Sequence, residues 1–301
     1  MSSHSPSTPE PRVLGTSPEA LSALAGVEVL YTDLDGTLLG RDSSVLADDG
    51  GEPTLETAEA IVSINRARLT VVMVSGRNAL QLAEAVRLLG WTDFIGEVGC
   101  VRSVGRERNL SYSVGDWTPD LLPENVSPYE AIAQAGALDV LETAFPGRIE
   151  RHLPWDRDRL ATHILRGDVD VTRAQSVLDS LPLPIDIVDN GIIRPPRHGL
   201  VGVSQIHAYH LVPRGSSKAR AIVEDLAARG LTSDQAAAIG DSATDLAMAD
   251  SVGLFALVAN GLDSPGMAEQ VALTPNAYVT SARQGHGWAE FAQLWVKARA
   301  S

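Results

Sequence analysis

The chain has 301 residues, 44% hydrophobic and 21% charged, the make-up of a globular enzyme with one large or two medium domains. A formal charge of −14 excludes a broad nucleic-acid face, and no apolar run approaches the about 18 residues of a membrane span. Cys100 is the only cysteine, so no internal disulfide forms and a reducing cytoplasm fits.

The stretch from Met1 to Pro11 is rich in Ser and Pro and lacks the apolar core of a signal peptide. Residues 1–25 are therefore read as a disordered tail. The apolar run 27–31 is the first predicted strand, and it leads into Asp33-Leu34-Asp35-Gly36-Thr37-Leu38-Leu39. Acidic groups then stand at the carboxyl end of a buried strand, the edge where open α/β sheets bind ligands. Asp33 and Asp35, two apart on an extended backbone, project the same way toward one small site. Two carboxylates that close repel unless a cation or a shared proton compensates, and a divalent metal meets that need. An acidic loop with Gly50-Gly51 covers 42–53. Residues 54–68 are a predicted helix with Leu55, Ala58, Ile61 and Val62 on one stripe. A second strand, 69–74, ends in Ser75-Gly76-Arg77, where a hydroxyl and backbone N–H groups can hold a phosphate oxygen. A helix over 78–89, closed by Gly90, and a short strand at 94–95 before Glu97-Val98-Gly99 follow. This alternation argues for a doubly wound parallel sheet.

From 106 the pattern changes to strand-like pieces mixed with helices at 128–144 and 172–181. Pro154, Pro182, Pro184, Pro195 and Pro196 punctuate them, and the last strand is 205–212. The alternation resumes with a helix over 217–229 that carries Ala219, Ile222, Val223 and Leu226 on one face. Lys218 sits at its start, unfavourable for the helix dipole unless the ammonium reaches carboxylates or a phosphate. A short strand, 236–239, leads into Gly240-Asp241-Ser242-Ala243-Thr244-Asp245. Asp241 and Asp245 lie one turn apart at the start of a helix over 243–249, suited both to plain capping and to Mg²⁺, a hard cation that prefers oxygen. A strand at 254–258 ends in Ala259-Asn260-Gly261. In the last helix, 288–299, Trp288, Phe291, Ala292 and Trp295 form an aromatic stripe read as core packing.

Asp33 to Thr37, Ser75-Gly76-Arg77, Lys218 and Gly240 to Asp245 follow the motif order of the haloacid dehalogenase-like phosphohydrolases, which the chain resembles over about 33–99 and 213–299. The position of the insertion resembles the Cof-like branch, with its sugar-phosphate phosphatase and phosphomannomutase relatives. The resemblance implies an α/β fold: a doubly wound, Rossmann-like core (26–105 and 213–301) with an inserted α+β cap domain (106–212). It implies a Mg²⁺-dependent phosphomonoesterase of a small phosphorylated metabolite, a sugar or polyol phosphate, without nucleic-acid or membrane partners. Two alternatives stand beside this: a phosphotransferase of the mutase kind, and a non-catalytic binding protein on the same fold.

Carried onto these residues, the resemblance makes Asp33 the nucleophile that becomes an aspartyl-phosphate, and Asp35 the general acid and then base. Thr37 orients Asp35; Ser75, with Gly76 and Arg77, and Lys218 hold the phosphoryl oxygens; Asn260 lies near the transferring phosphate. Mg²⁺ is held by Asp33, the backbone carbonyl of Asp35 and Asp241, with Asp245 behind them or as a weak ligand. Two positions depart from the pattern: Val98 and Thr244 stand where relatives commonly carry Asn. Candidate selectors of the leaving group are Arg77, His152, Arg157, His163, Arg194, Arg197 and His207. The runs Arg151-His152 and Arg194 to His198 suit a second anionic group on the substrate. No two histidines lie at i, i+4 on a convincing helix, so no transition-metal motif is expected.

Overall fold

The computed structural model describes residues 10–105, 109–195 and 197–300. Residues 1–9 of the expected tail, 106–108 at the expected cap boundary, and Pro196 lie outside the described residues. The strands are β1 (Val29–Thr32), β2 (Thr70–Val74), β3 (Asp93–Gly96), β4 (Val101–Val104), β5 (Asn109–Tyr112), β6 (Ile149–Arg151), β7 (His163–Gly167), β8 (Ile185–Ile193), β9 (Ile206–Pro213), β10 (Ala236–Gly240), β11 (Leu254–Leu257) and β12 (Ala277–Val279). The helices are α1 (Pro18–Leu24), α2 (Glu56–Ala67), α3 (Ala79–Leu89), α4 (Pro128–Gln134), α5 (Ala137–Ala144), α6 (Val171–Leu178), α7 (Lys218–Arg229), α8 (Ala243–Leu246), α9 (Met267–Leu273) and α10 (Gln284–Ala300). The chain divides after Ser75, Ala85, Asp93 and Ala221 into two compact units.

The first unit holds the parallel strands in the order β12-β11-β10-β1-β2. Every residue of β1, β10 and β11 is buried, as expected of parallel strands covered on both faces. Trp288, Phe291 and Trp295 of α10 are fully buried, so the aromatic stripe is core. Their indoles are satisfied: Trp288 Nε1 donates to Thr32 Oγ1 and Trp295 Nε1 to the Val27 carbonyl, both at 3.0 Å. On α2 the buried stripe is Thr57, Ala60, Ile61 and Ile64, whereas Leu55 and Val62 of the expected stripe are exposed. Leu55 is the N-cap, and the face actually buried is the one that packs on α10.

The tail expected over 1–25 is corrected from residue 10 onward. Arg12 O accepts from Val279 N, Leu14 is fully buried, and α1 buries Ala20 and Leu24 against the rest of the unit. Its seven residues are too few for a helix to stand in isolation; packing on α10 and β11 holds it.

The second unit carries the expected α+β segment. β3, β4 and β5 pair antiparallel, and a separate four-stranded sheet has the antiparallel order β6-β7-β9-β8. Its core includes Ile132, Leu141, Leu165, Leu178, Ile185, Tyr209 and Leu211. The single helix expected over 128–144 is two, α4 and α5, because Gly136 takes the left-handed conformation (φ +80°) that breaks the run.

Candidate active site

In the first unit, parallel pairing brings the carboxyl ends of β1, β10 and β11 to one edge of the sheet. Asp33 follows β1, and its N–H donates to Ile239 O at 2.9 Å, so the ladder still holds it. Asp241 follows β10, and Asn260 lies just beyond β11. One carboxylate oxygen from each of Asp33, Asp241 and Asp245 lies within 4.8 Å of the others. Asp33 and Asp245 are buried. Three carboxylates so close repel one another, and an all-oxygen set of this kind suits a hard divalent cation.

Local capping builds this group. Ser242 is the N-cap of α8 and Asp245 its reciprocal partner. Asp245 Oδ2 accepts from Asp241 N (3.2 Å), Ser242 N (3.1 Å) and Ser242 Oγ (2.5 Å). Asp245 therefore caps the helix and fixes the turn that carries Asp241; the capping and the cation readings coexist. Asn260 Nδ2 donates to Gly36 O (2.9 Å) and Asp241 Oδ2 (3.2 Å), and Asn260 Oδ1 accepts from Gln284 N (2.8 Å). Gly36 (φ +82°) packs so closely on Asp241 that a Cβ there would sit 2.3 Å from Oδ2.

Asp35 lies outside the three-carboxylate group. β1 ends at Thr32 and Leu34 already lies in a turn, so the strand alternation that put Asp33 and Asp35 on one side does not hold between them. Asp33 is buried, whereas Asp35 is exposed and its Oδ1 accepts from Ser43 Oγ at 2.8 Å. Thr37 Oγ1 is buried with no hydrogen-bond partner. The expected orientation of Asp35 by Thr37 is thus corrected: Ser43, on a loop that carried no motif, takes that bond. Ser75 follows β2 and is buried.

Gly76, Arg77 and Lys218 belong to the second unit. Lys218, the first residue of α7, is buried and not a solvated surface lysine. The turn after Ser75 is held by residues that no motif announced. Arg159 Nη2 donates to Gly76 O (2.9 Å), Glu97 N donates to Arg77 O (2.9 Å), and Asn78 Nδ2 donates to Arg157 O (3.2 Å). Glu97, fully buried, accepts from the N–H groups of Leu160, Ala161 and Thr162 at 2.8 to 3.0 Å and from Thr162 Oγ1 at 3.1 Å. Arg159 Nε stands 3.6 Å from it. Burial pulls the Arg159 guanidinium below its usual range, and Glu97 opposes the shift. Val98, where relatives commonly have Asn, is buried near Gly76 and His210. His210 is buried, and burial followed by the charges of Arg159 and Lys218 pushes its pKa well below the usual histidine range, so it is neutral.

Two of the expected leaving-group contacts, His163 and His207, and Arg151 of the basic run are engaged within the second unit. His163 is buried, stacks on Tyr129 with ring centroids 3.7 Å apart, and places Nε2 2.9 Å from Tyr129 O. It is a core histidine. His207 Nδ1 lies 2.8 Å from Asp189 Oδ2, and Arg151 pairs with Asp156 at 2.6 Å. Arg157 is exposed.

Comparison with known proteins extends this picture. A family model described as HAD-hydrolase-like matches residues 215–284, which hold Lys218, Asp241, Asp245 and Asn260. A phosphoglycolate phosphatase of Methanoculleus marisnigri is 26% identical over 237 residues, covering 78% of this chain and 85% of its own. One from Methanothrix thermoacetophila is 26% identical over 267 residues, covering 88% and 95%. Among solved structures, a Thermoplasma acidophilum protein superposes with a TM-score of 0.60 at 19% identity, covering 89% of this chain and 98% of its own. The sucrose-phosphatase of Synechocystis sp., solved with sucrose and phosphate, gives 0.57 at 14% identity and covers 89% and 97%. The sheet that gathers acidic turns at one edge, the matched segment across its second half and relatives aligned over most of their own length agree: the chain is similar to the haloacid dehalogenase-like hydrolases.

Proposed function

We propose that this protein is a Mg²⁺-dependent phosphatase that releases phosphate from a small phosphorylated metabolite through an aspartyl-phosphate on Asp33. The observation that carries this reading is the group of Asp33, Asp241 and Asp245 at the end of a parallel sheet. Asp33, the Asp35 carbonyl and Asp241 would hold the ion, with Asp245 behind them. When bound, Mg²⁺ offsets the clustered negative charge and that of the phosphoryl oxygens.

An Asp33 oxygen attacks phosphorus, and the bond to the leaving alcohol breaks. Asp35 supplies the proton that the alkoxide takes, and then accepts one from the water that cleaves the acyl-phosphate. Exposure of Asp35 and its bond to Ser43 Oγ suit a carboxyl that exchanges protons with leaving group and water. The orphaned Thr37 hydroxyl supports a ligand-contacting role in the same loop. Ser75 and Lys218 hold phosphoryl oxygens, as the motif order implies, with Asn260 bracing Asp241. Phosphoglycolate and sugar or polyol phosphates, sucrose phosphate among them, are the candidate substrates, the former after the relatives' names and the latter after the Cof-like resemblance.

A screen of these compounds with phosphate detection, with and without Mg²⁺, tests the reading. Activity is expected to vanish on chelation and return with Mg²⁺, and Asp33→Asn is expected to release no phosphate while keeping the parent's thermal midpoint. Substantial turnover by purified Asp33→Asn, or full activity of metal-free protein, overturns it.

A further inference from the structure

A cavity of about 550 Å³ in the second unit is lined by Leu153, Trp155, Arg166, Ile193, Arg194 and Arg197, with His152 beside them. That volume falls within the range of small-ligand pockets, which are largely apolar with a few placed polar groups. Trp155 is 53% exposed and Leu153 45%, so apolar surface on the cavity wall is open to a ligand.

The charges sort unevenly. Arg166 is spent on Glu150, with Nε at 2.6 Å from Oε1, and its Nη1 lies 3.4 Å from His152 Nδ1. Arg194 and Arg197 are exposed and make no ion pair or hydrogen bond with any described residue. Their neighbours in the same unit do otherwise: Arg148 pairs with Asp168, Arg151 with Asp156, Arg214 with Asp186 and Arg220 with Asp116. Two unpaired guanidinium groups on one cavity stand out in a chain with a net charge of −14. The segment that carries them is anchored beyond both: Gly199 N donates to Glu150 Oε2 (2.9 Å) and Val201 N to Gly147 O (2.8 Å). Glu150 thus neutralises Arg166 and ties down the loop, leaving the pocket's positive charge to Arg194 and Arg197.

We propose that this cap pocket is a binding site for a small organic anion. Its carboxylate or phosphate is met by Arg194 and Arg197, and its sugar or polyol skeleton lies on Trp155.

Full-length protein is titrated with gluconate, with 6-phosphogluconate and, as a neutral comparator, with sorbitol, while Trp155 emission is followed against a Trp155→Phe control. The other four tryptophans are buried. A saturable change is expected with both anions and not with sorbitol. The Arg194→Ala, Arg197→Ala double variant is expected to bind at least about tenfold more weakly, as loss of charge-assisted hydrogen bonds implies, with an unchanged thermal midpoint. The paired Arg→Lys variant is expected to recover part of that loss. No saturable emission change with either anion, or binding indifferent to the double substitution, overturns the site. Gluconate carries no phosphate, so its binding is read whether or not the phosphatase reading holds.

Discussion

At Gly36 the missing side chain is part of the site. A Cβ there would sit 2.3 Å from Asp241 Oδ2 on a backbone with φ +82°. Gly36→Ala is expected to displace the Asp241 carboxylate, weaken Mg²⁺ activation at least about tenfold and cost about 1–3 kcal/mol of stability. Calorimetric Mg²⁺ titration and urea unfolding check both. The glycine is legible in the sequence, but the carboxylate it must clear is not, because the two residues sit on different strand ends. His210 makes a second case. Its folded pKa is depressed, so below about pH 6.5, the value for an unfolded histidine, the unfolded chain takes up a proton that the folded chain refuses. Stability is intact above that pH and falls as the pH drops toward the folded pKa. In His210→Phe that contribution to the acid-side slope is expected to disappear, as read from urea midpoints between pH 7 and 5.

Among the elements, the turn that opens with Glu97 does the most with the least announcement. Glu97 and Val98 both adopt positive φ (52° and 60°), a conformation that costs energy for side chains of this kind. Three backbone N–H groups, a hydroxyl and a nearby guanidinium over-determine it. Glu97→Ala leaves those donors and Arg159 buried without their partner, and is expected to cost about 3–5 kcal/mol in chemical denaturation. Glu97→Gln, which presents an amide NH₂ where one oxygen now accepts, is expected to recover only part of that. A loss below about 1 kcal/mol for Glu97→Ala would show that the network does not hold the segment. The sequence displays Glu97 beside two glycines, but its acceptors' partners lie more than sixty residues onward, and nothing local points there.

For the molecule as a whole, the first unit is closed by the two ends of the chain. Leu14 and Leu24 are fully buried, and Val13 pairs alongside Val279. A chain begun at Gly26 is expected to lose about 3–6 kcal/mol, from about 1.5–3 for each buried leucine, with a lower calorimetric midpoint. An unchanged midpoint would return residues 10–25 to the status of a tail. The same unit buries a polar network: Tyr31 donates to Asp225 at 2.8 Å, and Arg229 bridges Asp225 and Asp93, both at 2.6 Å. Burial, then the Asp225 charge, push the Tyr31 phenol above its usual range.

The sequence by itself determined β1, β2, β3, β9, β10 and β11 and the acidic, hydroxyl-bearing or glycine-rich turns after the core strands among them, because an apolar run and the turn that stops it are neighbours in the chain. The position of Asp33, Ser75, Asp241 and Asn260 just after strands was legible for that reason, and so was the aromatic face of α10, whose periodicity is local. Only the tertiary structure decided which of these side chains meet. It joined Asp245 to Asp33 and Asp241, gave Asp35 to Ser43, left Thr37 unpartnered and set Glu97 against the segment around Arg159. It also separated His163, Arg151 and His207, which are paired, from Arg194 and Arg197, which have no partner among the described residues. Those outcomes depend on strand register and on contacts between residues far apart in the chain, where neither propensity nor spacing reaches.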